Sequence, residues 1–162
     1  MRKLTLLLLG LLFGVPLAAA APPAVAHVMR TPADVKFEPF PPGGPGVEMA
    51  VLSGDPTKPG PFVIRIKTPA GKHVPPHWHP TDEHITVVQG TVGFGMGRKF
   101  DETAGREFPP GSYLVMPKRT PHFAWNKDEA IVQVHGLGPF KVIYVNPADD
   151  PLRKTGTGSG AK

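Results

Sequence analysis

Short apolar runs separated by turn residues make up most of the chain after residue 46. The runs are rich in Val, Ile, Phe, Tyr and Thr, are bounded by Gly, Pro, Asp or Asn, and stand at 48–54, 61–67, 84–90, 91–97, 112–117, 122–126, 130–136 and 141–147. After the first 26 residues, no segment keeps a helical period over a window of about 11 residues. The pattern therefore predicts many short strands and an all-β fold, either a sandwich or a barrel.

The first 26 residues follow a different pattern. Arg2 and Lys3 form a basic start, a long apolar run follows, and small residues lead up to the sequence AVA at 24–26. This order is typical of a secretory signal peptide, with cleavage here between Ala26 and His27. A retained membrane anchor is the alternative, but the apolar run is short for a span of about 20 residues. We therefore expect a periplasmic or secreted protein with no stable membrane insertion after cleavage.

Two further segments are rich in residues that interrupt regular structure. Residues 27–46 end in PFPPGGPG, and we expect them to form an extended N-terminal arm. The chain ends in KTGTGSGAK, and we expect residues 149–162 to form a flexible, disordered tail. The predicted organisation is a signal peptide at 1–26, the arm at 27–46, a β-barrel domain at 47–148 and the tail at 149–162.

Charge and cysteine content narrow the function classes. The chain has 18 Lys and Arg against 13 Asp and Glu, a formal net charge of +5 that falls to +3 without Arg2 and Lys3. The basic residues are scattered rather than gathered on one stripe, so we expect no nucleic-acid partner. The chain has no cysteine, hence no disulfides and no thiolate ligands. An exported chain of this kind depends for stability on its core or on a bound metal.

The segment PPHWHPTDEHITVVQG at 75–90 carries the candidate chemistry. Its prolines favour extended backbone, on which residues i and i+2 share a face, so His77 and His79 project together. The sequence PTD at 80–82 predicts a turn, and Glu83 then begins a strand that can lie opposite the two histidines. Imidazole nitrogen and carboxylate oxygen are ligands of divalent first-row metals. The spacing therefore predicts a metal site.

A fourth ligand is expected from another part of the chain. His122 is the best candidate, because it follows a proline-punctuated turn and opens the run at 122–126. Each of these residues alone is more often a turn or surface residue, but their joint spacing favours ligation. We predict one divalent transition metal ion, Fe, Mn, Zn, Ni or Cu, bound by His77, His79, Glu83 and His122.

The spacing in the first segment resembles the first motif of the cupin superfamily. Gly71, five residues, His77-x-His79, three residues, Glu83, six residues and Gly90 match that motif at every fixed position.

A second segment resembles the second cupin motif. Gly111, five residues, Pro117, one residue, Arg119, two residues, His122, three residues and Asn126 follow its spacing. The sequence departs once, because Arg119 stands where the superfamily usually has glycine, and this predicts a different turn conformation.

The resemblance implies a small single-domain bacterial cupin, an antiparallel jelly-roll β-barrel with one metal inside. His77, His79, Glu83 and His122 match the ligand positions of the two motifs. Such a ligand set leaves one or two open positions on the metal, where water, dioxygen or a chelating substrate binds.

Other side chains are candidates for supporting roles. If the face shared by Gln133 and His135 is inward, these residues can orient a ligand, and Tyr113 is a further candidate near the site. A hydrogen-bonded strand residue is the alternative for His135. His84 is expected to face outward, because it follows Glu83 on an alternating strand.

Fold alone does not fix function. The intact ligand set favours an oxidoreductase of the dioxygenase type acting on a small organic molecule. The alternatives are a non-catalytic periplasmic module that binds a metal or ligand, and a non-redox metal-dependent decarboxylase or isomerase, which needs a separate acid or base. We expect a small-molecule ligand or substrate, and a homodimer is possible through exposed barrel edges.

Overall fold

The computed structural model describes residues 27–154. The predicted signal peptide at 1–26 and the last part of the predicted tail, 155–162, lie outside the described residues. Residues 27–154 contain four short 3-10 turns and one helix of four residues, α1 (Pro151–Lys154). Their strands are β1 (Glu38–Pro39), β2 (Glu48–Ser53), β3 (Gly60–Thr68), β4 (His73–Trp78), β5 (Glu83–Gln89), β6 (Val92–Met96), β7 (Gly105–Phe108), β8 (Tyr113–Met116), β9 (His122–Asn126), β10 (Ala130–Gly138) and β11 (Ile143–Tyr144).

The strands of residues 27–154 pair into two sheets. One has six strands in the order β1-β2-β3-β10-β5-β8, and the other has five in the order β11-β4-β9-β6-β7. Every pairing is antiparallel. From β3 onward the chain crosses repeatedly between the sheets, so that β4 and β9 lie in one sheet and β5 in the other. This is a jelly-roll arrangement, and it confirms the predicted all-β cupin fold.

The core lies between the two sheets because each strand alternates its side chains. On β5, Glu83, Ile85 and Val87 are buried, while the residues between them are more exposed. Side chains from both sheets join in one buried cluster, which includes Ile64, Ile85, Val87, Val134, Val92, Phe94 and Ala124. Burying each large apolar side chain contributes about 1.5–3 kcal/mol, so this cluster is the main source of stability.

Glycines at alternate positions of β6 bring two aromatic rings close to the backbone. A Cβ atom added to Gly93 would overlap the indole of Trp125, and one added to Gly95 would overlap the ring of Phe123. Both rings belong to β9, the strand that pairs with β6. Gly93 and Gly95 therefore have a packing reason, the close approach of aromatic side chains from a neighbouring strand.

The N-terminal arm is tied to the barrel. Its residues Glu38–Pro39 pair with β2 and extend the edge of the six-stranded sheet, and Pro41–Gly43 form a 3-10 turn. The Tyr144 hydroxyl donates a hydrogen bond to the Pro42 carbonyl at 2.8 Å. The Lys72 ammonium donates to the Pro45 carbonyl at 3.4 Å. The predicted extended arm therefore contains a short strand, β1, and a turn at Pro41–Gly43 that is hydrogen-bonded to the barrel.

The region predicted as tail begins with regular structure. The Asn146 side chain accepts a hydrogen bond from the Ala148 amide at 3.1 Å, and Asp150 accepts from the Leu152 amide at 3.0 Å. These caps support a 3-10 turn at Pro147–Asp149 and the helix α1, which contacts the turn at Pro41–Gly43. The part of the predicted tail that the structure describes, 149–154, therefore contains the end of a 3-10 turn and a short helix.

Within residues 27–154, no helix has the length and apolar character needed to cross a bilayer.

Candidate metal centre

Four side chains of the predicted ligand set come together between the sheets. His77 lies on β4 and is paired in register with His122, the first residue of β9. His79 follows β4, and Glu83 opens β5 in the opposite sheet. All four are buried, with relative exposures of 7% for His77, 2% for His79, 6% for Glu83 and 1% for His122. Because the chain crosses between the sheets, residues from two separate sequence motifs lie together in one cluster.

The distances within the cluster suit a single ion. One ring nitrogen from each of His77, His79 and His122 lies within 4.8 Å of the others. The Glu83 carboxylate oxygen Oε2 lies 3.3 Å from His79 Nε2 and 3.4 Å from His122 Nε2. The three buried histidines can therefore bind a metal, and Glu83 stands where it would complete the set.

Backbone carbonyls fix the tautomer of all three rings. Each Nδ1 atom lies within hydrogen-bonding distance of a carbonyl, namely that of Pro75 for His77 at 2.8 Å, Lys141 for His79 at 2.7 Å and Thr120 for His122 at 3.0 Å. Because a carbonyl only accepts, Nδ1 carries the hydrogen and donates it. In the neutral ring the lone pair is then on Nε2, the usual arrangement for a histidine that ligates a metal.

Two of these lone pairs have no hydrogen-bonding partner. The Nε2 atoms of His79 and His122 are fully buried and make no hydrogen bond. Leaving a buried polar atom unsatisfied costs about 1–3 kcal/mol, and here the nearest group is the Glu83 carboxylate, another acceptor. A divalent cation would satisfy both nitrogens and the carboxylate together. The donor set therefore fits a metal with a preference for nitrogen and oxygen ligands.

The charges in the cluster depend on whether a metal is bound. Burial raises the pKa of Glu83, but the neighbouring His79 and His122 outweigh burial and hold the pKa well below its ordinary value. Burial lowers the pKa of His79, but the Glu83 carboxylate and the Lys141 carbonyl outweigh burial and raise the net pKa. Burial, with the adjacent His122 and His79, lowers the pKa of His77 to about 3. In a metal-free cluster His79 therefore binds a proton more tightly than an ordinary imidazole does, and an incoming metal competes with that proton.

His79 is held by three groups from distant parts of the chain. The Lys141 carbonyl accepts from Nδ1, and the Arg119 amide donates to the His79 carbonyl at 2.8 Å. The Phe140 ring stacks on the imidazole with centroids 4.7 Å apart and planes 16° apart. The segment after β10 thus sets both the tautomer and the orientation of this ring.

The turn before His122 corrects one expectation from the sequence. Arg119 has a φ angle of 60°, in the left-handed region that glycine adopts most easily. The arginine thus follows the backbone conformation for which glycine is usually selected, and no altered turn forms. The conformation persists because the Arg119 amide is fixed by the His79 carbonyl and the Thr120 amide by the Pro117 carbonyl.

The cluster faces a cavity of about 90 Å³ between the two sheets. Besides the four candidate ligands, its walls are mainly apolar and include Ile66, Ile85, Phe94, Val132, Val134 and Phe140. The arm contributes Phe40 and Gly43 to the same cavity, close to the Pro42 carbonyl that accepts a hydrogen bond from Tyr144, and Val47 follows directly after the arm. The candidate metal centre is therefore the most polar part of a mainly apolar cavity.

The three proposed supporting residues lie away from this cavity. On β10, Val132 and Val134 line the cavity, so the alternating Gln133 and His135 face outward. Gln133 accepts a hydrogen bond from Arg65 at 3.4 Å.

His135 and Tyr113 instead belong to an outer group around His84. The rings of His135 and His84 stack with centroids 5.0 Å apart, and His84 Nδ1 is hydrogen-bonded to the Tyr113 hydroxyl at 2.6 Å. Tyr113 is 56% exposed. The interpretation of Gln133, His135 and Tyr113 as supports of the metal site is therefore corrected, because their strand faces point away from the cavity.

No pattern in the sequence identifies the groups that do support the ligands. The Pro75, Thr120 and Lys141 carbonyls act through the backbone, which carries no residue-type information. Phe140 stands immediately before the predicted strand at 141–147, and its sequence context does not distinguish it from an ordinary core aromatic. Only the alternation in the run at 141–147 could have indicated that Val142 and Tyr144 share an inward face.

Comparisons with known proteins agree with this architecture. A family model described as the ChrR cupin-like domain matches residues 25–141. No curated protein matches the chain in sequence. Among solved structures, the polyketide cyclase RemF from Streptomyces resistomycificus is similar with a TM-score of 0.62 and 21% identity, over 81% of this chain and 94% of that one.

Two further structures share the fold. An RmlC-like cupin from Shewanella frigidimarina has a TM-score of 0.54 and 13% identity, over 69% of this chain and 91% of that one. The DMSP lyase DddQ from Ruegeria pomeroyi has a TM-score of 0.54 and 19% identity, over 69% of this chain and 61% of that one. Since the family model spans most of the chain and the fold and both motifs agree with it, this protein belongs to the family of ChrR cupin-like domains, within the cupin superfamily.

Proposed function

We propose that the protein is an exported, mononuclear metal-dependent oxidoreductase of the dioxygenase type, acting on a small organic molecule. His77, His79, Glu83 and His122 would hold one divalent transition metal. Once bound, the metal would supply open coordination positions and redox chemistry that no side chain of the cavity can provide. The similar structures named for a cyclase and a lyase support catalysis on small molecules within this fold.

The chain's own residues would prepare the site in three ways. The carbonyls of Pro75, Thr120 and Lys141 fix the ring tautomers. Glu83 contributes one negative charge and so lowers the net charge of the centre. The apolar walls exclude water from the reacting groups, which strengthens electrostatic interactions there and limits side reactions.

One observation favours redox chemistry over lyase or isomerase chemistry. Among the described residues that line the cavity, Tyr144 has the only ionisable side chain besides the four candidate ligands. Its hydroxyl donates to the Pro42 carbonyl, and burial, aided by Asp150 and Asp149, raises its pKa to about 12. Tyr144 therefore stays protonated, so it cannot act as a base, and it is a weak acid, whereas a decarboxylase or isomerase needs a separately positioned acid or base.

The test is oxygen consumption by protein of measured metal content. We expect the metal-loaded protein to consume oxygen with at least one member of a panel of small organic substrates. His122→Ala should lose both the metal and the activity, while His84→Ala on the outer face should keep both. Full metal loading without oxygen consumption or product formation across the panel would contradict the oxidoreductase proposal.

A non-catalytic binding module is the second candidate. The same shortage of acids and bases in the cavity favours it, because capture of a ligand requires only the metal and the walls. The two functions separate in one assay: a module binds a ligand stoichiometrically and returns it unchanged.

Export is part of the proposal and rests on the sequence of residues 1–26. We expect protein isolated from the periplasm or medium to begin at His27, as shown by N-terminal sequencing. An intact Met1 in mature protein would contradict cleavage.

A further inference from the structure

The cavity beside the candidate ligands is apolar on both of its main walls. Ile66, Val132 and Val134 come from the six-stranded sheet, and Phe94 and Ala124 from the five-stranded sheet. Its volume is about 90 Å³. An apolar engineered cavity of about 150 Å³ takes up benzene, so a ligand here is no bulkier than a benzene ring unless the walls move.

The uncharged polar side chains of the walls have already committed their hydrogens. Asn126 Nδ2 donates to the carbonyls of Pro69 and Asp128. Thr68 donates to the Ala130 carbonyl at 3.4 Å, and Tyr144 donates to the Pro42 carbonyl at 2.8 Å. With the histidines bound to metal, a ligand oxygen that accepts hydrogen bonds would therefore find no side-chain donor with a free hydrogen among the described residues of these walls.

Charge argues in the same direction. In the described part of the chain, no Lys or Arg side chain lines the cavity, and Glu83 already places a carboxylate in it. A second anionic group on the ligand would have to be buried without a cationic partner, apart from the metal itself. Burying an unpaired charge or an unsatisfied hydroxyl costs free energy, so the cavity binds ligands that carry such groups weakly.

We propose, building on the metal-dependent function above, that the substrate has a single oxygen-bearing end that reaches the metal and an uncharged, apolar remainder that fills the cavity. Dicarboxylic acids, sugars, phosphate esters and amino acids are excluded by this chemistry. The metal-binding end sets the orientation, and the walls discriminate by the polarity and size of the remainder.

A pair of ligands with the same head and the same number of heavy atoms tests the walls directly. Pentan-2-one and 4-hydroxybutan-2-one share a methyl ketone and differ in a terminal methyl against a terminal hydroxyl. Titration of the zinc-loaded protein, followed by the NMR signals of each ligand, should give pentan-2-one an affinity about tenfold higher or more. Equal affinities, or tighter binding of the hydroxyketone, would overturn the proposal.

Two matched substitutions locate the discrimination. Val132→Thr places a hydroxyl on the cavity wall with little change in volume, and it should reduce the affinity ratio of the two ketones severalfold. Val88→Thr makes the same change on the outer face of β5, where the side chain is 38% exposed, and should leave the ratio unchanged. A ratio unchanged in Val132→Thr would show that the cavity walls do not discriminate.

The same titration on metal-free protein separates this proposal from the function on which it builds. The preference for pentan-2-one arises from the walls, so it should persist in EDTA-treated protein, with both affinities weaker. A chain that holds no metal but keeps the preference would contradict the metal-dependent function and support an apolar ligand. A chain that holds metal but shows no preference would contradict the substrate class alone.

Discussion

At the scale of single residues, the centre is defined by where hydrogens and lone pairs lie. Three Nδ1 atoms donate to backbone carbonyls, and the Nε2 atoms of His79 and His122 remain buried without a hydrogen bond. Such a cluster is costly as it stands and becomes favourable when a cation accepts the lone pairs. Because the same Nε2 lone pairs also bind protons, metal binding competes with protonation.

The affinity for metal should therefore depend on pH. In the metal-free protein the pKa of His79 lies above its ordinary value, because Glu83 and the Lys141 carbonyl outweigh burial. Protonated His79 cannot ligate, so we expect affinity to fall as the pH drops from 8 to 6, about tenfold for each pH unit below that pKa. Competition with a chelator of known affinity measures this, and an affinity that stays constant across the range would contradict the assignment of His79.

Arg119 offers a test of backbone strain at one residue. Its φ of 60° is costly for any side chain with a Cβ atom, whereas glycine adopts it freely. Arg119→Gly should raise the free energy of unfolding by about 0.5–1 kcal/mol in urea denaturation. The neighbouring Lys118 has no positive φ, so Lys118→Gly should lower the free energy instead. A loss of stability in Arg119→Gly would show that its side chain has a role not visible in its contacts.

At the scale of elements, alternation and turn residues predicted most of the strands and the inward face of β5. They predicted no run for β1, β4 or β7. Pro39 interrupts β1, β7 reads GREF and lacks a continuous apolar run, and β4 reads HVPPHW, for which only the prolines indicated extended backbone. The ligand positions were predictable because they follow local spacing on two motifs. Their supports were not predictable, because backbone carbonyls and the stacking of Phe140 depend on contacts between distant segments.

One side-chain hydrogen bond joins β11 to the turn at Pro41–Gly43 of the arm. Tyr144→Phe removes the hydroxyl that donates to the Pro42 carbonyl and leaves the ring in place. We expect amide hydrogen exchange in residues 40–47 to become about fivefold faster, as the loss of about 1 kcal/mol implies.

Tyr113→Phe is the matched control for this experiment. Its hydroxyl bonds to His84 on the outer face, so exchange in the arm should stay unchanged. Equal exchange rates in the wild type and Tyr144→Phe would show that other contacts hold the turn at Pro41–Gly43.

At the scale of the whole molecule, the barrel has no disulfide to support it and brings four polar side chains into its interior. A metal that binds only the folded chain adds to its stability in proportion to its affinity. Removal by EDTA should lower the Tm of metal-loaded protein by several degrees. The Tm of His122→Ala should not respond to EDTA, and an unchanged Tm in wild-type protein proven to be loaded beforehand would contradict a contribution of the metal to stability.

The metal content of the purified protein tests the central claim most directly. Elemental analysis of the wild type, His79→Ala and His84→Ala compares a buried member of the cluster with a histidine on the outer face. We expect close to one divalent transition metal per chain in the wild type and in His84→Ala, and almost none in His79→Ala. Equal metal content in all three proteins, or none in any of them after incubation with Fe, Mn, Zn, Ni or Cu, would contradict the metal centre.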